Sequence, residues 1–287
     1  MASVAEANGG PTIIIRDIDT SELRAVEALQ KEVWGCDDLD VVPAILFVAA
    51  KEVGATLIGA YDADSLVGFV YGFTGYEQGH VTHHSHMLAV RPSYRNYQLG
   101  FKLKLAQRER VLAQGINCIT WTFDPLQSLN AHLNFAKLGV VSDTYKTNFY
   151  GEATSSFLHQ IGTDRLWVTW PLDSQRVRDR VQTRIDNQQQ RFEMADAPVL
   201  VRVAANCVPQ MNAEADTFAS DHLTIEIPGD INALQRQHPQ LAVEWREATR
   251  WAFTQALDSH YLVEEFHSAT KNDQRVGVYL LSLRKES

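Results

Sequence analysis

His84-Ser85-His86-Met87-Leu88-Ala89-Val90-Arg91-Pro92-Ser93-Tyr94-Arg95-Asn96-Tyr97-Gln98-Leu99-Gly100 is the stretch that decides the fold. It reads as a strand, then a short turn rich in backbone donors, then the start of a helix. The first four N–H groups of a helix lack intrahelical partners, and its start carries partial positive charge. Such a start suits a phosphate or pyrophosphate. His84 and His86 alternate on the strand just upstream, so a titratable pair and a phosphate cradle share one unit. That pairing points to proton-transfer chemistry beside a nucleotide-bearing cofactor.

Working outward, Ile13-Ile14-Ile15 reads as a strand, and Ser21 to about Trp34 has helical apolar spacing. Pro43 opens a second helix running to about Val53. Ala55–Tyr61 and Leu66–Phe73 form a hairpin around Asp62–Ser65. A loop is expected before the His84 strand. The helix from about Gln98 ends at Gly115, Ile116–Phe123 is a strand, Asn130–Leu138 a helix, and Leu166–Trp170 a closing strand. Beyond Pro171 the composition turns to Arg, Gln and Asp, which marks a boundary. A second unit follows, with strands near Val199–Val203, Leu223–Ile227, Tyr261–Phe266 and Val276–Leu283. Between them Pro239–Ala256 is a helix whose Leu241, Trp245, Ala248 and Ala252 share a face, with Arg246 and Arg250 expected elsewhere. No sequence repeat is evident, although two halves of similar element order are compatible with the pattern.

The 287 residues suffice for one large or two modest domains, and a net charge of -9 argues against a general nucleic-acid binder. No apolar run reaches membrane-spanning length, and Met1–Pro11 lacks the core of a signal peptide. Cys36, Cys118 and Cys207 are few, odd in number and scattered, which fits a reducing, cytoplasmic setting and gives no metal-ligand spacing. No metal is expected.

These motifs resemble the acetyl-CoA-binding core of the GNAT superfamily of N-acyltransferases, over roughly residues 12–172. That family's turn reads Arg/Gln-x-x-Gly-x-Gly/Ala. Arg95 matches the first position and Gly100 the last, while Gln98 stands at the first glycine and serves there if its φ is negative. The His84-x-His86-x-Leu-Ala-Val run looks like the strand of serotonin N-acetyltransferases whose paired histidines relay the amine proton. Trp121–Leu126 and Asn130–Asn134 look like a two-domain bacterial subgroup of the family. The resemblance implies an α/β fold with a mixed α+β sheet, the GNAT fold, and a C-terminal α+β accessory domain. The expected divisions are a tail at 1–11, the GNAT domain at 12–172, a linker or solvated helix at 173–196, and the accessory domain at 197–287.

The function so implied is transfer of an acyl group, acetyl or larger, from acetyl-CoA or another acyl-CoA to a primary amine of a small molecule such as an amino acid. The amine attacks directly. An ammonium has no lone pair, so a base must take its proton, and imidazole fits. His84 and His86 are the candidates, against the alternative that they are structural. His83 is expected on the opposite face unless a bulge intervenes. Backbone groups of Leu88, Ala89 and Val90 would hold the pantetheine arm. The turn Arg95, Asn96, Tyr97, Gln98, Leu99 and Gly100 would hold the phosphates. Asn130 and Asn134 would bond the pantetheine or acceptor, with Asn130 alternatively a helix cap.

The family's usual acid, a Tyr four residues before the helix-ending glycine, is Phe135 here. Tyr145, Tyr150 or water would replace it, against the alternative that both tyrosines pack on the sheet. Asp124 either forms a turn or orients a histidine or the amine. Arg165 either binds an acceptor carboxylate or makes a surface ion pair. The expected partner is the small-molecule amine, with no nucleic acid and no membrane, and a homo-oligomer is compatible with the sequence. The alternative function is a non-catalytic CoA-binding or regulatory module, which Gln98 and Phe135 favour and the histidine pair opposes.

Overall fold

The computed structural model describes residues 11–151, 160–182, 197–271 and 273–284. The expected tail, apart from Pro11, and residues 183–196 of the expected linker lie outside them. The first half runs β1 (Ile13–Asp17), α1 (Leu23–Trp34), α2 (Ala44–Glu52), β2 (Thr56–Asp62), β3 (Ser65–Glu77), β4 (His80–Val90), α3 (Leu99–Ala113), β5 (Cys118–Phe123) and α4 (Ser128–Ala131). The last of these continues as a π-helical turn, His132–Leu138, followed by β6 (Val141–Lys146) and β7 (Arg165–Pro171). This is the mixed α/β order expected of the GNAT fold.

Two elements differ from the sequence reading. The loop expected after Phe73 is instead the end of a long hairpin that turns at Gln78 and Gly79, both at positive φ. Its tip alternates polar and apolar residues outside any core, so it carries little periodic signal. Strand β6 was not anticipated either. Its sequence, Val-Ser-Asp-Thr-Tyr-Lys, is mostly polar, and it is a strand because neighbours on both sides take its backbone groups.

The second half runs α5 (Gln175–Gln182), β8 (Val199–Val203), β9 (Pro209–Met211), β10 (His222–Pro228), α6 (Ile231–Gln237), α7 (Pro239–Asp258), β11 (Tyr261–Lys271) and β12 (Gln274–Leu283). It does not build a sheet of its own. The strands form one order, β1-β2-β3-β4-β5-β7-β6-β11-β12-β10-β8-β9, joined at Val263↔Ser142 between β11 and β6. Outward from that junction the two halves mirror each other. Each passes through two antiparallel pairings, then a parallel one, then an antiparallel one. In both, the third strand from the junction feeds a helical segment, then the junction strand, then the middle strand.

The core follows this continuity. One cluster lies between α1–α2 and the sheet, around Phe47, Phe69 and Tyr71; a second lies under α3, around Leu99 and Leu103. The largest spans the junction, where Phe135 meets Tyr279 edge-on and Tyr145 stacks on Phe253. Helix α5 is docked rather than solvated. Val177 is fully buried, Arg176 and Arg180 both reach the Glu265 carboxylate on β11, and a Cβ on Gly139 would crowd Arg180 at 3.1 Å.

Candidate active site

Strands β4 and β5 are parallel partners only at His83↔Ile119 and His84↔Thr120. Beyond those pairs they separate, and the backbone of β4 from Ser85 onward has no partner on the β5 side. The gap is part of a cleft of about 510 Å³ that runs through the sheet. Its walls come from the α1–α2 side (Trp34, Val42), from β4 (Ser85 to Leu88), from β5 (Trp121 to Asp124) and from the α4 turn (Asn130, Asn134).

The histidines divide between the two faces of β4. A bulge opposite Tyr71 and Gly72 makes His86 the extra residue. The bulge does not separate it from His84. Their ring centres are 6.3 Å apart, and both rings lie against Phe73. His86 lines the cleft. His84 does not, being stacked on Trp167 at 5.1 Å with Nδ1 3.2 Å from the Thr120 hydroxyl. Burial first, then the nearby His86 and Lys104, push the His84 imidazole down to about 4. Burial lowers His86 as well. Both rings are therefore neutral acceptors around pH 7.

His83 faces α3, fully buried, 3.1 Å from the Thr56 hydroxyl and near Gln107. Gly72 makes this approach feasible, since a Cβ there would stand 2.4 Å from His83 Nε2. Ser85, also facing α3, donates to Gln107 Oε1 at 2.8 Å and accepts from Lys104 Nζ at 2.7 Å. Lys104 is 2 % exposed, lines the cleft, and holds its ammonium position 3.6 Å above the Trp121 ring. Burial pushes it well below the usual lysine range. Sequence reading passed over it. The available signal was the stripe Gly100, Lys104, Gln107, Val111, which marks one helix face turned to the sheet.

The expected cofactor residues fall into two groups. Leu88, Asn130 and Asn134 line the cleft, with Asn134 4 % exposed. Asn130 sits inside α4, whose N-cap is Gln127, so the capping alternative is dropped. Ala89 and Leu99 put their side chains in the core and offer only backbone, as does Val90 at the strand's end. The turn Arg95 to Gln98 is exposed at the start of α3. Gln98 has φ 58° and ψ 25°, so the negative φ under which a glutamine would serve at the first glycine is not met. The left-handed conformation, rather than space alone, makes that position one for glycine. Gly100 has no such constraint; a Cβ there would make ordinary contacts with Leu133 and Leu88.

The acid candidates separate cleanly. Tyr145 does not line the cleft. Its hydroxyl donates to Asp164 Oδ2 at 2.7 Å, burial raises its pKa, and its ring is stacked in the junction core; it is withdrawn as a proton donor. Tyr150 lines the cleft, with its hydroxyl 3.4 Å from Thr122 Oγ1 and Arg165 over its ring. Arg165 is 7 % exposed and also lines the cleft, so a surface ion pair is not its setting. Phe135 is fully buried against Phe123 and Tyr279.

Asp124 forms its expected turn, accepting from Leu126 N at 2.9 Å. Its other oxygen accepts from Arg246 Nη2 at 2.6 Å, and Arg246 is 2 % exposed. The placement of Arg246 away from the buried face of α7 is thus corrected. Gln127 exchanges two hydrogen bonds with Asn232, and the Tyr279 hydroxyl donates to Pro125 O. The second half therefore holds this cleft wall. Among the described residues no cluster has the makings of a metal site, and no helix is long and apolar enough to cross a membrane.

Residues 21–140 match the model of the acetyltransferase (GNAT) family. No curated protein matches the chain significantly. Among solved structures, the chain is similar to the ribosomal-protein-S18-alanine N-acetyltransferase of Escherichia coli, with 15% identity, 57% of this chain and 96% of that one covered, and a TM-score of 0.45. It is also similar to a GNAT-family acetyltransferase from Streptococcus pneumoniae, with 15% identity, coverage of 55% and 98%, and a TM-score of 0.45. A third is the yncA protein of Salmonella typhimurium, solved with its cofactor acetyl-CoA, with 15% identity, coverage of 57% and 95%, and a TM-score of 0.43. The family match falls on the strand–turn–helix unit and the opening beside it, and residues 21–140 of this chain are a GNAT acetyltransferase domain.

Proposed function

We propose that the chain transfers an acetyl group from acetyl-CoA, the family's typical donor, to the primary amine of a small molecule. The observation that carries this reading is the parting of β4 from β5 just after His84, with His86 in the gap. Unpaired β4 backbone between Ser85 and Val90 is suited to the pantetheine arm, and one of its N–H groups to the thioester carbonyl. The N–H groups of Arg95 to Gly100 are suited to the pyrophosphate. His86 receives the proton from the incoming ammonium, and His84 stands behind it as the second member of the relay. The neutral amine then attacks the thioester carbon, and the C–S bond breaks.

The test is thiol release from acetyl-CoA over a panel of small primary amines. Replacing both histidines by Gln lowers turnover by about 10²–10⁴-fold with CoA affinity unchanged. A double variant turning over at the parental rate overturns the relay. The rate limb set by His84 lies near its lowered pKa of about 4, because its ring accepts a proton only when neutral. A limb at 6.5 that vanishes in His84→Gln would contradict that placement. Gly100→Asp weakens CoA binding through charge repulsion at the phosphates, read by calorimetric titration.

A further inference from the structure

The transfer just described leaves one proton unaccounted for. The attacking nitrogen sheds a proton as the amide forms, and the departing sulfur must gain one. The position that ordinarily supplies it holds Phe135, which has no proton to give and is sealed in the core, and Tyr145 is committed to Asp164. We propose that Lys104 is the proton shuttle of this site, taking the proton from the attacking nitrogen and handing it to the leaving sulfur. The inference rests on the acetyltransferase reading above.

Four observations point to it. Lys104 is almost fully buried and lines the cleft at the vertex where β4 and β5 part, between Ser85 on one strand and Trp121 on the other. It has no ion-pair partner among the described residues, whereas the buried carboxylates Asp124, Asp164, Glu226 and Glu265 each have a cation. A buried lysine without a counter-charge is stable as the neutral amine, the form that can accept a proton. Its nitrogen is fixed. One N–H goes to Ser85 Oγ, which is itself anchored by Gln107, and the nitrogen lies 3.6 Å from the centre of the Trp121 ring, on the lining of the cleft.

The step balances. The N–C bond forms, the C–S bond breaks, one proton moves from the amine nitrogen to Lys104 Nζ and on to sulfur, and Lys104 returns to its neutral form. No outside acid is consumed. The titratable groups lining the cleft with Lys104 are His86 on β4, Asp124 just after β5, Tyr150, Arg165, and Cys36 and Asp40 between α1 and α2, with His83 and His84 next to them on β4. Asp124 is paired with Arg246, which leaves it unavailable to hold Lys104 charged.

The experiment compares the full-length protein with Lys104→Met, Lys104→Gln and Lys104→Arg, using acetyl-CoA with glycine, lysine and tryptamine as acceptors. Thiol release, CoA affinity by calorimetry and the pH–rate profile are measured. Met and Gln are expected to lower turnover by about 10²–10⁴-fold with CoA affinity unchanged, and to abolish a rate limb that His84→Gln retains. Arg is expected not to restore the rate, since a guanidinium does not give up its proton. Parental turnover in Met or Gln, restoration by Arg, or loss of CoA binding in both neutral variants overturns the shuttle and leaves Lys104 a packing or charge residue. If the parent binds acetyl-CoA yet releases thiol with none of the amines, the amine-transfer reading falls and the shuttle with it. That result is distinct because parent and variants then behave alike.

Discussion

The parallel pair β4–β5 and its counterpart across the junction, β10–β8, occupy mirrored places in one sheet, and the backbone groups beside them are treated differently. Where β4 and β5 part, the strand edges are left facing an open cavity, walled by polar groups fixed from behind. At β10–β8 a buried side chain takes a backbone N–H of β8. Glu226, 1 % exposed, accepts the Val203 N–H at 2.9 Å and pairs with Lys271. The same strand order thus gives a cleft at one pair and a buried carboxylate on the backbone at the other. The difference is whether the backbone groups freed by divergence are left for a ligand or satisfied internally. The second half has a different task. Through Arg246, Asn232 and Tyr279 it holds the Asp124–Gln127 wall of the working cleft.

That contrast can be broken most directly by truncation. Ending the chain after Leu172 exposes the faces of Phe135 and Tyr145 that pack on Tyr279 and Phe253, and leaves β6 without β11. The expected outcome is loss of the cooperative thermal transition. A folded fragment that still binds CoA would show that the halves are separable. Arg246→Met comes next. Removing one partner of a buried ion pair costs about 3–5 kcal/mol, read by denaturant unfolding, and turnover falls as the wall loosens. Adding Asp124→Asn recovers part of the stability, because the unpaired charge is gone.

Glu226→Ala tests the sealed side. It leaves a buried N–H unsatisfied at about 1–3 kcal/mol, while the dissociation constant for acetyl-CoA stays at the parental value; a changed constant would couple the two regions. The smallest effect is at Gln98. Gly relieves a left-handed backbone position and is expected to stabilise by about 0.5–1 kcal/mol, with CoA affinity equal or higher. A destabilised Gln98→Gly would mean the side chain holds the turn.

Much of the first half was legible in sequence because its signals are local. The Val, Ile and Leu runs of β2 and β4, the glycine after the α3 helix and the Arg95–Gly100 turn each reflect preferences settled within a few residues. The strand of paired histidines and its neighbouring turn were legible on the same grounds, and of the two rings only that of His86 lines the cleft. What sequence did not reveal depends on partners far along the chain. Strand β6 is polar and exists because β7 and β11 flank it. Arg246 is buried because Asp124, 122 residues earlier, needs a cation. Lys104 reaches the cleft because Ser85 and Trp121 part on either side of it. The amino-acid sequence alone determined most elements of the first half, the adjacent histidines on one strand and the turn that follows them, since local propensity and periodicity encode them. Tertiary structure alone decided which parallel pair opens, which charges are buried and that the halves share one core, since burial and hydrogen-bond satisfaction are settled only when distant strands meet.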